Sequence, residues 1–216
     1  MGSILATYNI DSPQHGRSFR VDLVEGLDPV HFDYIDTHWQ PILDGVYDIA
    51  LMQWAQLPAV NQTDEKFKQV LGGLGAPDQH WSWRQKNVFA PGTNRKMYGL
   101  LNGGHVEAAM TLKFGRMSRL NPIGQPLVYV DCLAAAPWNR GAIQPKVRFH
   151  GLGRLMLGAA VAVSRKENCD GRCGLHSLQS AESFYRDRRM HEFPIDPAYN
   201  MRYFEFDAQA ARAFTG

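Results

Sequence analysis

The segment Arg148-Phe149-His150-Gly151-Leu152-Gly153 places arginine and glycine residues at a spacing that suits the binding of a phosphate. The residues after it carry an apolar stripe at helical spacing, so a helix is predicted to begin at this turn. A helix N-terminus presents unsatisfied backbone N–H groups and the positive end of a dipole, and glycine lets an anion approach them closely. Arg148 and Arg154 would add charge-assisted hydrogen bonds to the same anion. The alternative is a glycine-rich turn that serves packing alone.

Two other phosphate-binding motifs are excluded by the sequence. A dinucleotide-binding fingerprint would need glycine at position 156, where Met156 stands, and the chain has no Gly-Lys pair with which to build a P-loop. The second glycine cluster, residues 72–75, runs into Ala76-Pro77 without a recognisable helix start, which favours a connector. The turn at residues 148–153 is therefore the predicted phosphate site.

The elements that must position this turn follow the order strand, two helices, hairpin, strand, long helix, strand, helix, strand. Strands are predicted at residues 19–24, 96–101, 105–114, 127–133, 173–178 and 201–207. Helices are predicted at residues 28–41, 63–71, 180–188 and 207–214, and from Gly151 to a stop before Gly171. Residues 77–88 fit neither period well, so a short helix and a strand both stay open there, with the helix favoured. This order indicates a mixed α/β (α+β) layer fold.

Composition and charge are those of one globular domain covering residues 1–216, with residues 1–16 as a flexible N-terminal segment. The chain has 216 residues, 44% of them hydrophobic, and a formal net charge of +2. This small charge argues against nucleic acid or an anionic membrane as the main partner, and the apolar runs are too short to span a bilayer. Three cysteines, an odd and sparse set, and the lack of a secretory signal pattern predict a reducing, cytoplasmic location.

The order of these motifs resembles the GCN5-related N-acetyltransferase (GNAT) superfamily. The likeness rests on the strand at 127–133, Pro137, the Arg148-x-x-Gly151-x-Gly153 turn with its apolar helix, and the later Ala181-Glu182-Ser183-Phe184-Tyr185 segment. It covers roughly residues 96–207. It implies a mixed central sheet of about 6–7 strands flanked by helices, in which the fourth and fifth strands splay apart to admit acetyl-CoA.

The resemblance also implies a set of residues that bind the pantetheine and pyrophosphate of acetyl-CoA, the cosubstrate. They are Leu133, Ala134, Ala135, Arg148, Phe149, His150, Gly151, Leu152, Gly153 and Arg154. No metal is expected, because the spacing of Cys169, Cys173 and His176 lacks a fourth ligand for zinc.

Two residues are predicted to take part in catalysis. Tyr185 maps to a tyrosine that in the resembled family often lies near the thioester sulfur, where a phenolic proton donor would help to expel the thiolate. The attacking amine must be neutral, so a base is useful, and Asp131 is the first candidate because it interrupts an otherwise apolar strand. Glu107 and His176 rank behind it. The alternatives are a half-buried core tyrosine at 185 and, at 131, a carboxylate satisfied by a neighbouring Arg or Tyr.

The chain departs from the family pattern in two places. The link from Pro137 to Arg148 is longer than the family's usual few residues, which predicts a lid or an acceptor wall. Arg189-Met190 stands where Gly-Phe is common, at the end of the helix that follows Tyr185. Besides Tyr185 and Asp131, Cys132 bears on the mechanism. It follows Asp131 in the strand and is expected on the opposite face, buried as a small hydrophobe. This favours direct attack over a covalent enzyme intermediate.

The sequence therefore predicts an acetyl-CoA-dependent N-acyltransferase that acetylates a primary amine, on a small molecule or a protein, by direct attack. A non-catalytic CoA-binding regulatory module is the alternative from another class. The acceptor stays open among protein N-termini, lysines, aminoglycosides, polyamines and aminoacyl-tRNA. Homodimerisation is common in the resembled family and is an expectation for this chain.

Overall fold

A mixed β-sheet of eight strands organises the chain in the computed structural model, which describes residues 2–88 and 94–216. The strands are β1 (Ser3–Ser12), β2 (Arg17–Glu25), β3 (Arg95–Asn102), β4 (His105–Met117), β5 (Pro126–Ala135), β6 (Cys173–Ser177), β7 (His191–Asp196) and β8 (Met201–Phe206). The helices are α1 (Pro29–His38), α2 (Gln40–Ala55), α3 (Asp64–Gly73), α4 (Trp83–Val88), α5 (Leu152–Lys166), α6 (Glu182–Arg186) and α7 (Ala208–Thr215). Met1 and residues 89–93, which the single-domain prediction includes, lie outside the described residues.

The sheet opens between its two parallel strands. The strands lie in the order β1-β2-β3-β4-β5-β6-β8-β7, and neighbours are antiparallel except for β5 and β6. The ladder between β5 and β6 joins Val128 to Cys173 and Tyr129 to Gly174, at the amino ends of the two strands. Beyond these pairs the strands separate. Counted from β2, they are the fourth and fifth strands, so the predicted splay is confirmed.

Helices cover both faces of the sheet. On one face, called the α5 face below, Leu152 and Met156 of α5 pack on Val130 and Phe204 of the sheet. On the other, the α1 face, helices α1 to α4 pack over β2, β3 and β4. Trp39, fully buried between α1 and α2, donates its indole N–H to the Val106 carbonyl at 3.1 Å and so fixes this helical layer to β4.

Three features of the fold differ from the sequence prediction. Residues 3–12, for which no element was predicted, form β1 and pair with β2 along its length. The helix predicted at residues 28–41 differs in its end: α1 ends at His38, and Pro41 lies in the first turn of the additional helix α2. Proline is tolerated there because its missing N–H has no intrahelical partner.

The third difference is strand β7, which brings the sheet to eight strands instead of about 6–7. Pro194 lies within this strand and obscures its pattern in the sequence. β7 is an edge strand, and the ladder to β8 shifts register between Glu192 and Ile195, which accommodates a proline that cannot donate a hydrogen bond.

Candidate active site

The N-terminus of α5 presents backbone donors that no protein group uses. Gly151 is the N-cap of this helix, with φ 77° and ψ 5°, and its carbonyl accepts the first intrahelical hydrogen bond, from Leu155 N at 2.9 Å. The backbone N–H groups of Leu152, Gly153 and Arg154 have no acceptor among the described residues. Three N–H groups and the positive end of the helix dipole therefore face the same space, which is the arrangement that binds a phosphate.

The two positions of the turn occupied by glycine require this residue for different physical reasons. Gly151 adopts a left-handed conformation that side chains rarely accept, and a Cβ at this position would meet open space. A Cβ on Gly153 would lie 3.3 Å from the ring of Phe184, so this glycine allows α5 to pack closely against α6. The packing alternative therefore holds for Gly153, while Gly151 keeps the approach to the helix N-terminus open.

Side chains of the turn divide between the core and the open side. Phe149 and Leu152 are buried on the α5 face, so only their backbone atoms can reach a ligand. His150 and Arg154 are exposed and line a cavity of about 430 Å³. The other residues that line this cavity are Tyr8, Ile10, Gly151, Leu155, Gly158, Phe214 and Thr215. The turn therefore opens into a concave surface to which the additional strand β1 contributes.

A second cavity, of about 480 Å³, continues from Arg154 toward the end of α6 and carries most of the local basic residues. Arg188, Arg189, Asp187 and the pair formed by His191 Nε2 and Asp207 Oδ2, which lie 2.9 Å apart, line it. The Arg188 guanidinium lies over the Phe184 ring at 3.5 Å and donates to the Phe184 carbonyl at 2.6 Å. The sequence analysis missed these arginines, although the run Arg186 to Arg189 was a visible signal of local positive charge.

The Arg148 side chain contacts protein groups of β3 and β4. Its guanidinium forms an ion pair with Glu107 Oε1 at 3.0 Å and donates to Asn102 Oδ1 at 2.8 Å. Glu107, fully buried, also accepts hydrogen bonds from Trp138 Nε1 at 2.7 Å and Asn139 Nδ2 at 2.8 Å. Arg148 and Glu107 thus hold the segment from Pro137 to Arg148 against β4.

We expect the Arg148→Met substitution to lower the free energy of unfolding by about 2 kcal/mol, because it leaves the buried Glu107 carboxylate with two donors and no cation. Urea unfolding followed by circular dichroism measures this effect. Arg154→Met is the matched control, since Arg154 is exposed and donates weakly to Phe214 at 3.3 Å. Equal unfolding midpoints for the two variants would contradict the anchoring role of Arg148.

The predicted pantetheine-binding residues lie on the free edge of β5. Leu133, Ala134 and Ala135 pair on one side with Met110, Ala109 and Ala108 of β4. On the other side, toward β6, the described ladder has already ended at Tyr129. An extended ligand that enters the gap can therefore bind main-chain groups of β5 as an additional strand would.

Tyr185 lies in α6, on the α5 face and at the same end of the sheet as the turn. It is buried against Phe184 and Phe204, with ring centroids 5.1 and 5.5 Å away. Burial raises the pKa of its hydroxyl to about 12, and the nearby Arg188 opposes the rise. No described residue hydrogen-bonds this hydroxyl, which therefore stays protonated and uncommitted at neutral pH.

Asp131 occupies a β-bulge where β5 leaves β6. The ladder to β4 pairs Val130 with Leu112 and Cys132 with Thr111, and leaves Asp131 without a partner. Its carboxylate receives a hydrogen bond from Lys113 Nζ at 2.5 Å and lies 3.9 Å from Arg95 Nη2, which is the satisfied-carboxylate alternative. The catalytic role of Asp131 stays a prediction.

The bulge also corrects the expectation for Cys132. One extra residue in a strand shifts the alternation of side chains, so residues on either side of the shift can share a face. Cys132 packs with the core of the α1 face, the face on which Asp131 meets Lys113. Burial raises the pKa of the Cys132 thiol, and nearby Lys86 opposes the rise.

His176 of β6, a candidate base of lower rank, projects from the face opposite Cys173. Cys173 is buried in the core of the α5 face, whereas His176 Nδ1 lies 2.8 Å from the Tyr129 hydroxyl and Nε2 lies 3.1 Å from Asp196 Oδ2. In residues 2–88 and 94–216 no group of three or more His, Cys, Asp or Glu side chains is placed to hold a metal ion.

The architecture has a counterpart among solved structures. FeeM, an N-acyl amino acid synthase from uncultured soil microbes, superposes with a TM-score of 0.52 at 11% sequence identity, over 91% of this chain and 94% of FeeM. The fold is that of the GNAT superfamily. In the terms of the GNAT fold, β5 and β6 are the splayed strands and residues 148–154 form the turn that enters the long helix.

Two further structures match most of the chain with lower similarity. PaiA N-acetyltransferase from Thermoplasma acidophilum, in complex with coenzyme A, has a TM-score of 0.48 at 11% identity, over 86% of this chain and 97% of PaiA. A GNAT-family protein from Desulfovibrio desulfuricans has a TM-score of 0.47 at 9% identity, over 86% of this chain and 96% of its own. No family model and no curated protein matches the sequence. Among the described helices, none is long and apolar enough to cross a bilayer.

Proposed function

We propose that this protein is an N-acyltransferase that transfers the acyl group of acetyl-CoA to a primary amine by direct attack. One observation carries the proposal: the gap between β5 and β6, the free N–H groups of α5 and the uncommitted hydroxyl of Tyr185 all lie at one end of the sheet. The close approach of Gly153 to Phe184, next to Tyr185, joins the last two features. A phosphate-binding turn beside an open strand edge and a proton donor suits a nucleotide thioester.

The cofactor proposal assigns two kinds of contact. The N–H groups of Leu152, Gly153 and Arg154 would bind the pyrophosphate, with His150 and Arg154 beside it. The free edge of β5 at residues 133–135 would bind the pantetheine. The GNAT fold, and the presence of coenzyme A in the PaiA structure, support the assignment of acetyl-CoA as donor. Arg148 is left out of the ligand set because Glu107 and Asn102 engage it.

In the proposed reaction the amine nitrogen attacks the thioester carbonyl, the C–S bond breaks, and Tyr185 gives its proton to the departing thiolate. A hydroxyl whose pKa is about 12 is protonated throughout the working range, so it can act as the acid. Asp131 at the bulge would attract the acceptor as an ammonium ion, in competition with Lys113.

The location in the cytoplasm and the homodimer stay predictions.

A thiol-release assay with acetyl-CoA and a panel of amines and peptides tests the proposed function. We expect free CoA to appear with at least one amine, together with the matching acetylated product by mass spectrometry. CoA binding without turnover on every acceptor would instead indicate the non-catalytic CoA-binding module. Absence of both binding and release would contradict the phosphate-site assignment as well.

A further inference from the structure

Three residues from separate elements form a hydrogen-bonded chain on the α1 face, beside the point where β5 and β6 part. Tyr129 belongs to the last residue pair of the parallel ladder, and its hydroxyl lies 2.8 Å from Nδ1 of His176. Nε2 of His176 lies 3.1 Å from the carboxylate of Asp196, at the end of β7. The chain therefore runs from the sheet edge of β7 to the mouth of the gap.

Surrounding groups hold this chain in place. Only 3% of the His176 side chain is exposed, and the ring of Tyr199 stacks on the imidazole at 4.0 Å. Arg119 binds the Asp196 carboxylate at 2.7 Å, and the Ala198 N–H donates to it at 3.0 Å. One ring nitrogen of His176 is thus directed at Asp196, one ring face is covered by Tyr199, and the other ring nitrogen contacts Tyr129.

The hydrogen bonds fix the direction of proton transfer. An ionised Asp196 can only accept, so Nε2 of a neutral His176 donates to it and Nδ1 accepts from the Tyr129 hydroxyl. The hydrogen bond from Arg119, the largest cause, and that from Ala198 lower the pKa of Asp196 to about 2. Burial lowers the pKa of His176, and the hydrogen bond with Asp196 opposes this shift. Burial raises the pKa of Tyr129. At neutral pH the imidazole of His176 is therefore uncharged, and the hydrogen-bonded chain of three residues can accept one proton.

We propose that Tyr129, His176 and Asp196 form the proton relay that accepts the proton of the attacking amine, a step for which an alkylamine needs a base more than an arylamine does; this rests on the proposed acyl transfer. As the amine nitrogen bonds to the thioester carbon, its N–H proton passes to the Tyr129 oxygen while the Tyr129 hydroxyl proton passes to His176 Nδ1. The imidazolium is paired with Asp196 and later releases its proton to water. Tyr185 separately protonates the departing thiolate, and its phenolate then takes back a proton from water, so charges and protons balance over one turnover.

Charged and titratable groups face the relay from several elements, and each affects its pH response. Besides Asp196 within the relay, they are Lys113, Arg116, Arg119, Asp131, Tyr199 and Tyr203. Arg116 and Arg119 disfavour the imidazolium of His176, whereas Asp196 favours it. Asp131 raises the pKa of Tyr129. The relay therefore combines a base that is neutral at pH 7 with a carboxylate that stabilises its charged form.

The test compares Tyr129→Phe and His176→Gln with the wild type on two acceptors, an alkylamine and an arylamine. Tyr199→Phe is the control, because it removes a tyrosine hydroxyl from the same cluster while it keeps the ring stacked on His176. With the alkylamine we expect kcat to fall by about 50-fold in both relay variants. With the arylamine, whose adduct loses its proton to water unaided, we expect a loss of less than about fivefold.

The pH profile supplies a readout that a purely structural role would not change. With the alkylamine, kcat/KM of the wild type should rise about 100-fold per pH unit at pH values below the pKa of His176. At pH values above that pKa, which burial places below the usual ~6.5, kcat/KM should rise about tenfold per pH unit. His176→Gln should rise by one decade throughout. Equal losses on both amines, or a Tyr129→Phe enzyme within about threefold of the wild type, would overturn the relay. A wild type that acylates no amine would overturn the proposed function itself and the relay with it.

Discussion

A Tyr185→Phe variant should bind CoA as tightly as the wild type and acetylate its acceptor about 100-fold more slowly in kcat. The substitution keeps the ring that packs on Phe184 and Phe204 and removes a hydroxyl that no described residue uses. Stability should therefore change little, and the loss should appear in the step that protonates the thiolate. Steady-state kinetics at saturating acetyl-CoA and calorimetric titration with CoA measure the two quantities.

Tyr47→Phe provides the comparison for this result. Tyr47 lies in α2 on the α1 face and packs against Phe67 at 5.2 Å, so the change removes the same hydroxyl group far from the turn. We expect kcat to stay within about twofold of the wild type. A Tyr185→Phe enzyme with the same kcat as Tyr47→Phe would leave Tyr185 as a core tyrosine and nothing more.

The second large effect is expected at Gly151, where Asp and Asn can be compared directly. Both residues tolerate the left-handed backbone of this N-cap, both cap helices well, and they are nearly equal in size. The Asp carboxylate would lie ~5 Å from a pyrophosphate at the helix N-terminus, where one pair of like charges costs about 3 kcal/mol at an effective dielectric constant of about 20. Gly151→Asp should therefore bind CoA about 100-fold more weakly than Gly151→Asn.

The free energy of unfolding should not fall with the affinity for CoA when Gly151→Asp is compared with Gly151→Asn. A negative charge at a helix N-terminus stabilises the helix by about 0.5 kcal/mol, so Gly151→Asp should unfold at the same urea concentration as Gly151→Asn or at a higher one. Weaker binding by a protein that is at least as stable cannot come from misfolding. Equal dissociation constants for CoA in the two variants would contradict a pyrophosphate at this turn.

The sequence predicted the fold and the turn because both depend on local patterns. The apolar stripe of α5 and the glycine at its N-cap are visible in the letters, and so is the apolar run of β5. The parts that it missed depend on partners remote in sequence. Arg148 carries the charge expected of a phosphate ligand, yet its contact is with Glu107, whose position in a bulge of β4 no local pattern reveals.

The bulge in β5 explains another limit. Strict alternation places Asp131 and Cys132 on opposite faces, and a single unpaired residue in the ladder is enough to place both on the α1 face. The relay was likewise hidden, because Tyr129, His176 and Asp196 are brought together by the order of strands in the sheet and by the turn after β7. Sequence analysis identified His176 as a candidate base, and the structure supplies its neighbours.

A crystal structure of the wild type with CoA tests the central claim most directly. The account predicts pyrophosphate oxygens within about 3.2 Å of the backbone nitrogens of Leu152, Gly153 and Arg154, with the pantetheine in the gap between β5 and β6. The thiol should then lie near the Tyr185 hydroxyl. Electron density for CoA on any other surface, with the gap between the two strands empty, would contradict it.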